Sequence, residues 1–267
     1  MPPENEADAA CRVCGEVTDL TFEHLPPRSA GNRQKVELVD IRAWFRREDD
    51  GTTERGRISQ KGAGALTLCE ECNNRAGRLY VPEFRRWVKV GNASLAELEP
   101  ARVDAQVEPA YVELEIQDVR PGRFMKQVAT MLLAQSIGGV ARKHADLREY
   151  ARDPEAVGIP PRYQFYLAFN AGPGARYNGG SVAMQSSGIV FSVELSFPPF
   201  TYILSIDEEG PAIETGNITN FADLEINQTA NVKMQLRLGF SHTPLPLDLR
   251  SKAALEEDRR RNEAEAA

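Results

Sequence analysis

The sequence predicts an α+β fold in two parts, a small cysteine-framed domain followed by a larger helix-then-sheet domain. Three observations predict it. All four cysteines, Cys11, Cys14, Cys69 and Cys72, fall in the first 72 residues. Beyond Ala110 an amphipathic helical pattern over Arg123–Ile137 precedes a series of short strand-like runs. Between the two parts, Asn92–Pro109 is rich in Ala and Glu and reads as a boundary. The domains expected are therefore residues 1–95 and 110–250, with a charged tail over 251–267 that reads as a frayed helix or a disordered segment.

Composition is that of an ordinary globular chain, 42% hydrophobic and 27% charged. No apolar run reaches the roughly 18 residues that a membrane-spanning helix needs. The opening MPPENEADAA is acidic and polar, unlike a secretory signal, so a cytoplasmic location is expected. Formal charge is −7, which disfavours a uniformly nucleic-acid-binding surface. The charge is uneven: residues 20–92 hold fourteen Lys and Arg against ten Asp and Glu, and residues 93–267 hold seventeen against twenty-four. The first part is thus mildly basic and the second acidic.

The cysteines form two CxxC pairs separated by 54 residues. A two-residue spacing lets both sulfurs of a pair face one tetrahedral ion at about 2.3 Å. Two matched pairs with no cysteine left over point to one structural zinc held by Cys11, Cys14, Cys69 and Cys72. The alternatives are disulfides, disfavoured without a secretory signal, and a redox CxxC, which needs no second pair. Gly15 follows the first pair as a turn residue, and a helix can begin at Cys72-Asn73-Asn74. Extended stretches lie between the pairs at Leu20–Leu25, Ile58–Lys61 and Ala65–Leu68. Knuckle, hairpin and knuckle at a helix start is a treble-clef arrangement, which sets residues on the hairpin against residues at the helix start.

The hairpin carries TFEHLPPRSAGN and the helix start carries Asn73-Asn74. Glu23 and His24 stand side by side on alternating faces of a strand end, before the stiff Pro26-Pro27. Oxygen ligands from such a cluster suit a Mg²⁺-like ion, with an imidazole to deprotonate water. The plainer readings are a solvated Glu-His pair, and asparagines that cap the helix. Arg28, Arg33 and Arg75 are candidate phosphate contacts, since guanidinium matches phosphate oxygens in pairs; alternatively they belong to a solvated charged surface.

The pattern CRVCG…FEHLPP…LCEECNN resembles the HNH endonucleases, in the variant with EH, a following proline and CxxCN found in bacterial proteins. The resemblance extends to RFMKQVATMLL, FPPFTYILS and PLPLDLR, across most of the chain. It implies a metal-dependent endonuclease acting on DNA, with Mg²⁺ or Mn²⁺ beside the structural zinc and a setting in bacterial defence or mobile elements. By the same resemblance His24 is the general base, and Glu23 and Asn73 ligate the catalytic ion; Asn74 is the candidate to replace the family's missing asparagine and orient His24. The chain departs from the family twice: Gly64 stands where the middle asparagine is usual, and the closing histidine is missing, since His144 and His242 lie outside the motif. The alternative function is a non-catalytic zinc module that binds nucleic acid or protein.

In the remaining chain, residues 80–92 read as a helix with Pro82 in its first turn, Phe84, Trp87 and Val88 on one side and Arg85, Arg86 and Lys89 on the other. A strand is expected at Tyr111–Ile116, a helix at Arg123–Ile137 ended by Gly138-Gly139, and a shorter helix at Ala145–Ala151. Strands follow at Tyr163–Asn170, Val182–Met184, Ile189–Leu195, Tyr202–Ile206 and Val232–Leu238, making a mainly antiparallel sheet. Gly172-Pro173-Gly174 and Gly179-Gly180 read as turns. No second catalytic constellation is visible there. A role in recognising a DNA feature, sensing a small molecule or forming a homodimer is open to this part, direct DNA contact least of all given its acidity.

Overall fold

A computed structural model describes residues 10–40, 56–98, 111–172, 174–185, 188–206, 216–239 and 260. His242, the PLPLDLR segment, most of the boundary stretch and, apart from Arg260, the charged tail lie outside the described residues.

The chain is a mixed α+β structure. Strand β1 (Leu20–His24) pairs antiparallel with β4 (Gly64–Cys69), and a small ribbon, β2 (Val36–Leu38) with β3 (Arg57–Ser59), lies between them in sequence. Helix α1 (Glu70–Leu79) starts directly from β4, with Cys69 as its extended N-cap residue. It begins two residues ahead of Cys72, so Asn73 and Asn74 sit inside the first turns and no side chain caps the end. The capping reading of the two asparagines is thereby set aside.

Helix α2 (Val81–Ala96) carries Pro82 in its first turn, where a missing N–H costs nothing. It buries Phe84, Trp87, Val88 and Gly91. Trp87 stacks on Phe124 with ring centroids 4.0 Å apart, and Phe84 reaches Tyr202 at 5.7 Å. Gly91 is required by close approach: a Cβ there would stand 2.3 Å from the Phe200 ring.

After β5 (Tyr111–Val119) comes the central helix α3 (Pro121–Gln135), buried at every position from Phe124 to Ala134. A helix buried on all sides belongs inside a core, and its polar Lys126, Gln127 and Thr130 are buried with it. It stops at Gln135, because Ser136 and Ile137 turn extended, and Gly138 then opens a short helix α4 (Gly138–Lys143) where a terminator was expected. Helix α5 (Ala145–Arg152) follows.

Strands β6 (Tyr163–Asn170), β7 (Arg176–Gln185), β8 (Gly188–Phe197), β9 (Phe200–Ile206) and β10 (Ala230–Gly239) complete a six-stranded sheet in the order β5-β10-β6-β9-β8-β7. All its pairings are antiparallel except the short β10–β6 contact. Central β9 is buried throughout, while edge strand β5 alternates exposed and buried residues, as a strand covered on one face must. Gly179 and Gly180 lie within β7 at a register shift, a bulge in place of the expected turn.

The two parts that the sequence separates share one hydrophobic core. Cys11, Val13, Leu25 and Leu68 belong to the same buried cluster as Phe124, Leu133, Tyr163 and Leu204. Polar ties add to it: Arg75 donates to the Arg152 carbonyl at 3.0 Å, Arg86 to Asp118 at 2.7 Å and Arg123 to Leu79 at 3.3 Å.

Candidate functional site

The first knuckle is shaped by backbone bonds. Gly15 N donates to Cys11 O at 2.8 Å, Cys11 N to Glu16 O at 2.9 Å, and Gly15 takes a φ of 80° that favours glycine. Arg12 N donates to Thr67 O at 2.9 Å, which docks this knuckle on β4 just ahead of Cys69. The second pair spans the end of β4 and the first turn of α1.

All four sulfurs lie within 4.8 Å of one another, and Cys14 Sγ is 3.8 Å from Cys69 Sγ. The edge of a tetrahedron with bonds of about 2.3 Å is ~3.8 Å, so the cluster fits a metal such as zinc. Its electrostatics fit as well. The hydrogen bond from Cys72 pulls Cys11 down to about 4, that same partner sends Cys72 well above the thiol range, and burial lifts Cys14 to about 11. Crowded thiols resist ionising together, so a full set of four thiolates needs a cation among them.

Among the described residues the four cysteines are the one cluster of three or more His, Cys, Asp or Glu with metal-binding geometry. The other expected ligands must therefore be placed singly.

His24 ends β1 and is partly exposed. Its Nε2 lies 2.8 Å from the Lys61 carbonyl. A carbonyl only accepts, so Nε2 carries a proton, and among the described residues no partner is paired with Nδ1. The edge of Phe22 steadies the ring from the same face, with centroids 5.0 Å apart.

Glu23 points to the other face and is buried, 6% exposed. Desolvation lifts its carboxyl to about 7. Among the described residues no donor or cation is paired with it. Two residues before it stands Thr21, next to a register shift in the β1–β4 pairing. There the Asn73 amide reaches the strand, with Nδ2 donating to Thr21 Oγ1 at 3.0 Å and to Phe22 O at 3.5 Å. Asn73 thus meets β1 two residues from Glu23, and among the described residues no donor is paired with its Oδ1. Asn74 is exposed on α1 and makes no hydrogen bond to His24.

Arg28 and Arg33 are exposed on the loop after His24, and Arg33 Nε donates to Arg28 O at 3.2 Å. Arg75 is committed elsewhere, to Glu71 and to the Arg152 carbonyl. On helix α2, Arg85 and Lys89 are exposed, whereas Arg86 is tied to the end of β5.

Sequence reasoning missed Asn32. It is 1% exposed and holds the loop shut: Nδ2 donates to Pro26 O at 2.8 Å and Ala63 O at 2.7 Å, and Oδ1 accepts from Ala63 N at 2.8 Å. Its partner stands next to Gly64, the position where the motif lacks its asparagine. The signal available was an asparagine eight residues after the histidine, and it carries no local periodicity.

Comparison with family models, with curated proteins and with solved structures finds no match for this chain.

Proposed function

We propose that the chain is a metal-dependent endonuclease of the HNH type, hydrolysing phosphodiester bonds in DNA on a zinc-bound treble-clef frame. One observation carries the reading. A carboxyl buried without a partner among the described residues, Glu23, lies two residues from the Asn73 contact on β1 and next in sequence to an imidazole held through Nε2. The sulfur cluster between the first knuckle and the start of α1 supports the treble-clef frame.

In this reading Glu23 and Asn73 Oδ1 would hold a Mg²⁺ or Mn²⁺ ion. Such an ion offsets the Glu23 charge and neutralises charge building on a phosphate. His24 Nδ1 takes a proton from water, and the water oxygen attacks phosphorus as the bond to the leaving oxygen breaks. Lys61, through its carbonyl, keeps the proton on Nε2 and so aims Nδ1 outward. Arg28 and Arg33 supply cationic contacts for flanking phosphates.

The test is nicking of supercoiled plasmid by wild type and His24→Ala, with Mg²⁺, Mn²⁺ or neither, zinc content being measured alongside. Metal-dependent nicking by wild type, lost in the variant at unchanged zinc, is expected. A His24→Ala protein that nicks at the wild-type rate removes His24 from the chemistry. A second reading, a non-catalytic zinc module that binds DNA, is favoured by Gly64 in the motif and by the absence of a second ligand cluster among the described residues. It would show as retardation of DNA without cleavage under every divalent ion.

A further inference from the structure

Among the described residues, one side chain of the large sheet hydrogen-bonds the backbone at the His24 strand end. Tyr177, on edge strand β7, packs its ring on the common core and donates its hydroxyl to the Leu25 carbonyl at 2.7 Å. Leu25 directly follows His24. The backbone polar groups of the next two residues are fully used: Leu25 N donates to Ala63 O at 3.0 Å, Pro26 O accepts from Asn32, and proline has no N–H. Of these ties the Leu25 carbonyl bond alone comes from outside the hairpin and its loop. Phe197 on β8 adds an apolar neighbour, 3.9 Å from where a Cβ would stand on Gly31.

We propose that Tyr177 is a positioning residue for His24, and that the large sheet serves the hydrolysis by fixing the strand end from which the imidazole projects. This rests on the nuclease reading above.

Three facts carry the inference. The hydroxyl is a committed donor, since burial pushes the phenol above its ordinary range and it keeps its proton at any working pH. The accepting carbonyl is part-buried beside a 2% exposed Leu25, so no second donor replaces the tyrosine cheaply. And among the described residues the His24 ring is held by Lys61 O and the Phe22 edge, so its aim follows the backbone of residues 24–26. A general base needs reach of about 3 Å to its proton, which small backbone shifts destroy.

Tyr177→Phe keeps the ring and removes the bond. Two readouts are compared with those of Leu236→Ala, a core truncation on β10, four strands from β7 in the sheet. In plasmid nicking with Mn²⁺, Tyr177→Phe should lose about tenfold in kcat with KM within twofold, an effect of the size seen for groups that orient catalytic ones. In nitrogen–proton NMR, the Nε2–H signal of His24 should be sharp in wild type and in Leu236→Ala and broadened in Tyr177→Phe. With three histidines in the chain, His24→Gln assigns it. A Tyr177→Phe protein with wild-type kcat and a sharp Nε2–H signal overturns the proposal, as does equal loss in Leu236→Ala. If wild type nicks nothing, the nuclease reading fails, and the NMR comparison alone still decides whether Tyr177 orders the ring.

Discussion

Asn32 and Ala63 exchange two hydrogen bonds, Nδ2 to the Ala63 carbonyl at 2.7 Å and Ala63 N to Oδ1 at 2.8 Å. A side-chain amide thus pairs with backbone as a strand would, and it closes the loop that begins at His24 onto the start of β4. A third bond to Pro26 O makes the amide the centre of the loop. The turn at Gly31, with φ 102°, brings Asn32 inward.

Asn32→Asp is expected to destabilise more than Asn32→Ala. The aspartate turns an acceptor toward the Pro26 and Ala63 carbonyls and buries a charge, whereas alanine leaves Pro26 O and Ala63 N unpartnered and leaves Ala63 O its bond from Leu25 N. Loss of about 2–4 kcal/mol is expected for Asn32→Ala and more for Asn32→Asp, read by urea denaturation of the zinc-loaded protein. Equal stability of wild type and Asn32→Asp would show that the loop is held by something else.

Much of this arrangement was legible in the sequence, and the parts that were not share a cause. The CxxC spacing gave the sulfur cluster because ligand geometry is local to each knuckle. The strand-like run Tyr163–Asn170 gave β6 as observed, because it is aromatic and apolar over most of its length. Strand β2 is three residues long and carries no readable period. Gly179-Gly180 reads as a turn from composition, yet a bulge uses glycine for a different reason: a Cβ on Gly179 would stand 2.7 Å from the Gln135 carbonyl. Asn32 and Tyr177 act on partners 31 and 152 residues away, and no local pattern encodes such distances. The solitary burial of Glu23 is likewise a property of what packs around β1.

Glu23 makes stability depend on pH in a defined direction. Its carboxyl titrates near 7 in the fold and near 4.5 ordinarily, so between those values the folded state binds the extra proton. The contribution is full below about pH 4.5 and is lost as pH rises through 7, roughly 3 kcal/mol in all. In zinc-loaded protein free of other divalent ions, the denaturation midpoint should therefore fall from pH 5.5 to pH 8 more steeply in wild type than in Glu23→Gln. Adding Mn²⁺ at pH 8 should restore the wild type and leave Glu23→Gln unmoved. Equal response of both proteins to Mn²⁺ would exclude Glu23 as an ion ligand.

Removal of the metal should unfold more than the knuckles. The sulfur cluster belongs to the same core as α3, and Arg148 crowds Gly15, where a Cβ would meet its guanidinium at 1.8 Å. A structural zinc contributes on the order of 10 kcal/mol at neutral pH. Chelation, or Cys72→Ser, is expected to abolish the cooperative thermal transition seen by near-ultraviolet circular dichroism, with one equivalent of zinc released. Protonation of thiolates should give the same loss on acidification. Retention of a full transition in metal-free protein would make the cluster dispensable for folding.

Lys126 is the last test, because it separates the brace behind the sulfur cluster from the cluster itself. Its Nζ is fully buried and donates to three carbonyls, Tyr150 at 2.7 Å, Asp153 at 2.8 Å and Ala156 at 2.8 Å, while lying 3.9 Å above the Tyr150 ring. These carbonyls end α5 and shape the turn after it, and α5 in turn supplies the Arg152 carbonyl that receives Arg75 from α1. Methionine fills the same volume without a donor, so Lys126→Met strands the Tyr150 and Ala156 carbonyls and leaves Asp153 O only the 3.3 Å bond from Ala156 N, at a cost of about 2–4 kcal/mol. The loss should appear in urea denaturation with zinc stoichiometry unchanged, since no sulfur ligand is touched. Stability within about 1 kcal/mol of wild type would mean that water reaches those carbonyls and that α5 needs no lysine to end it.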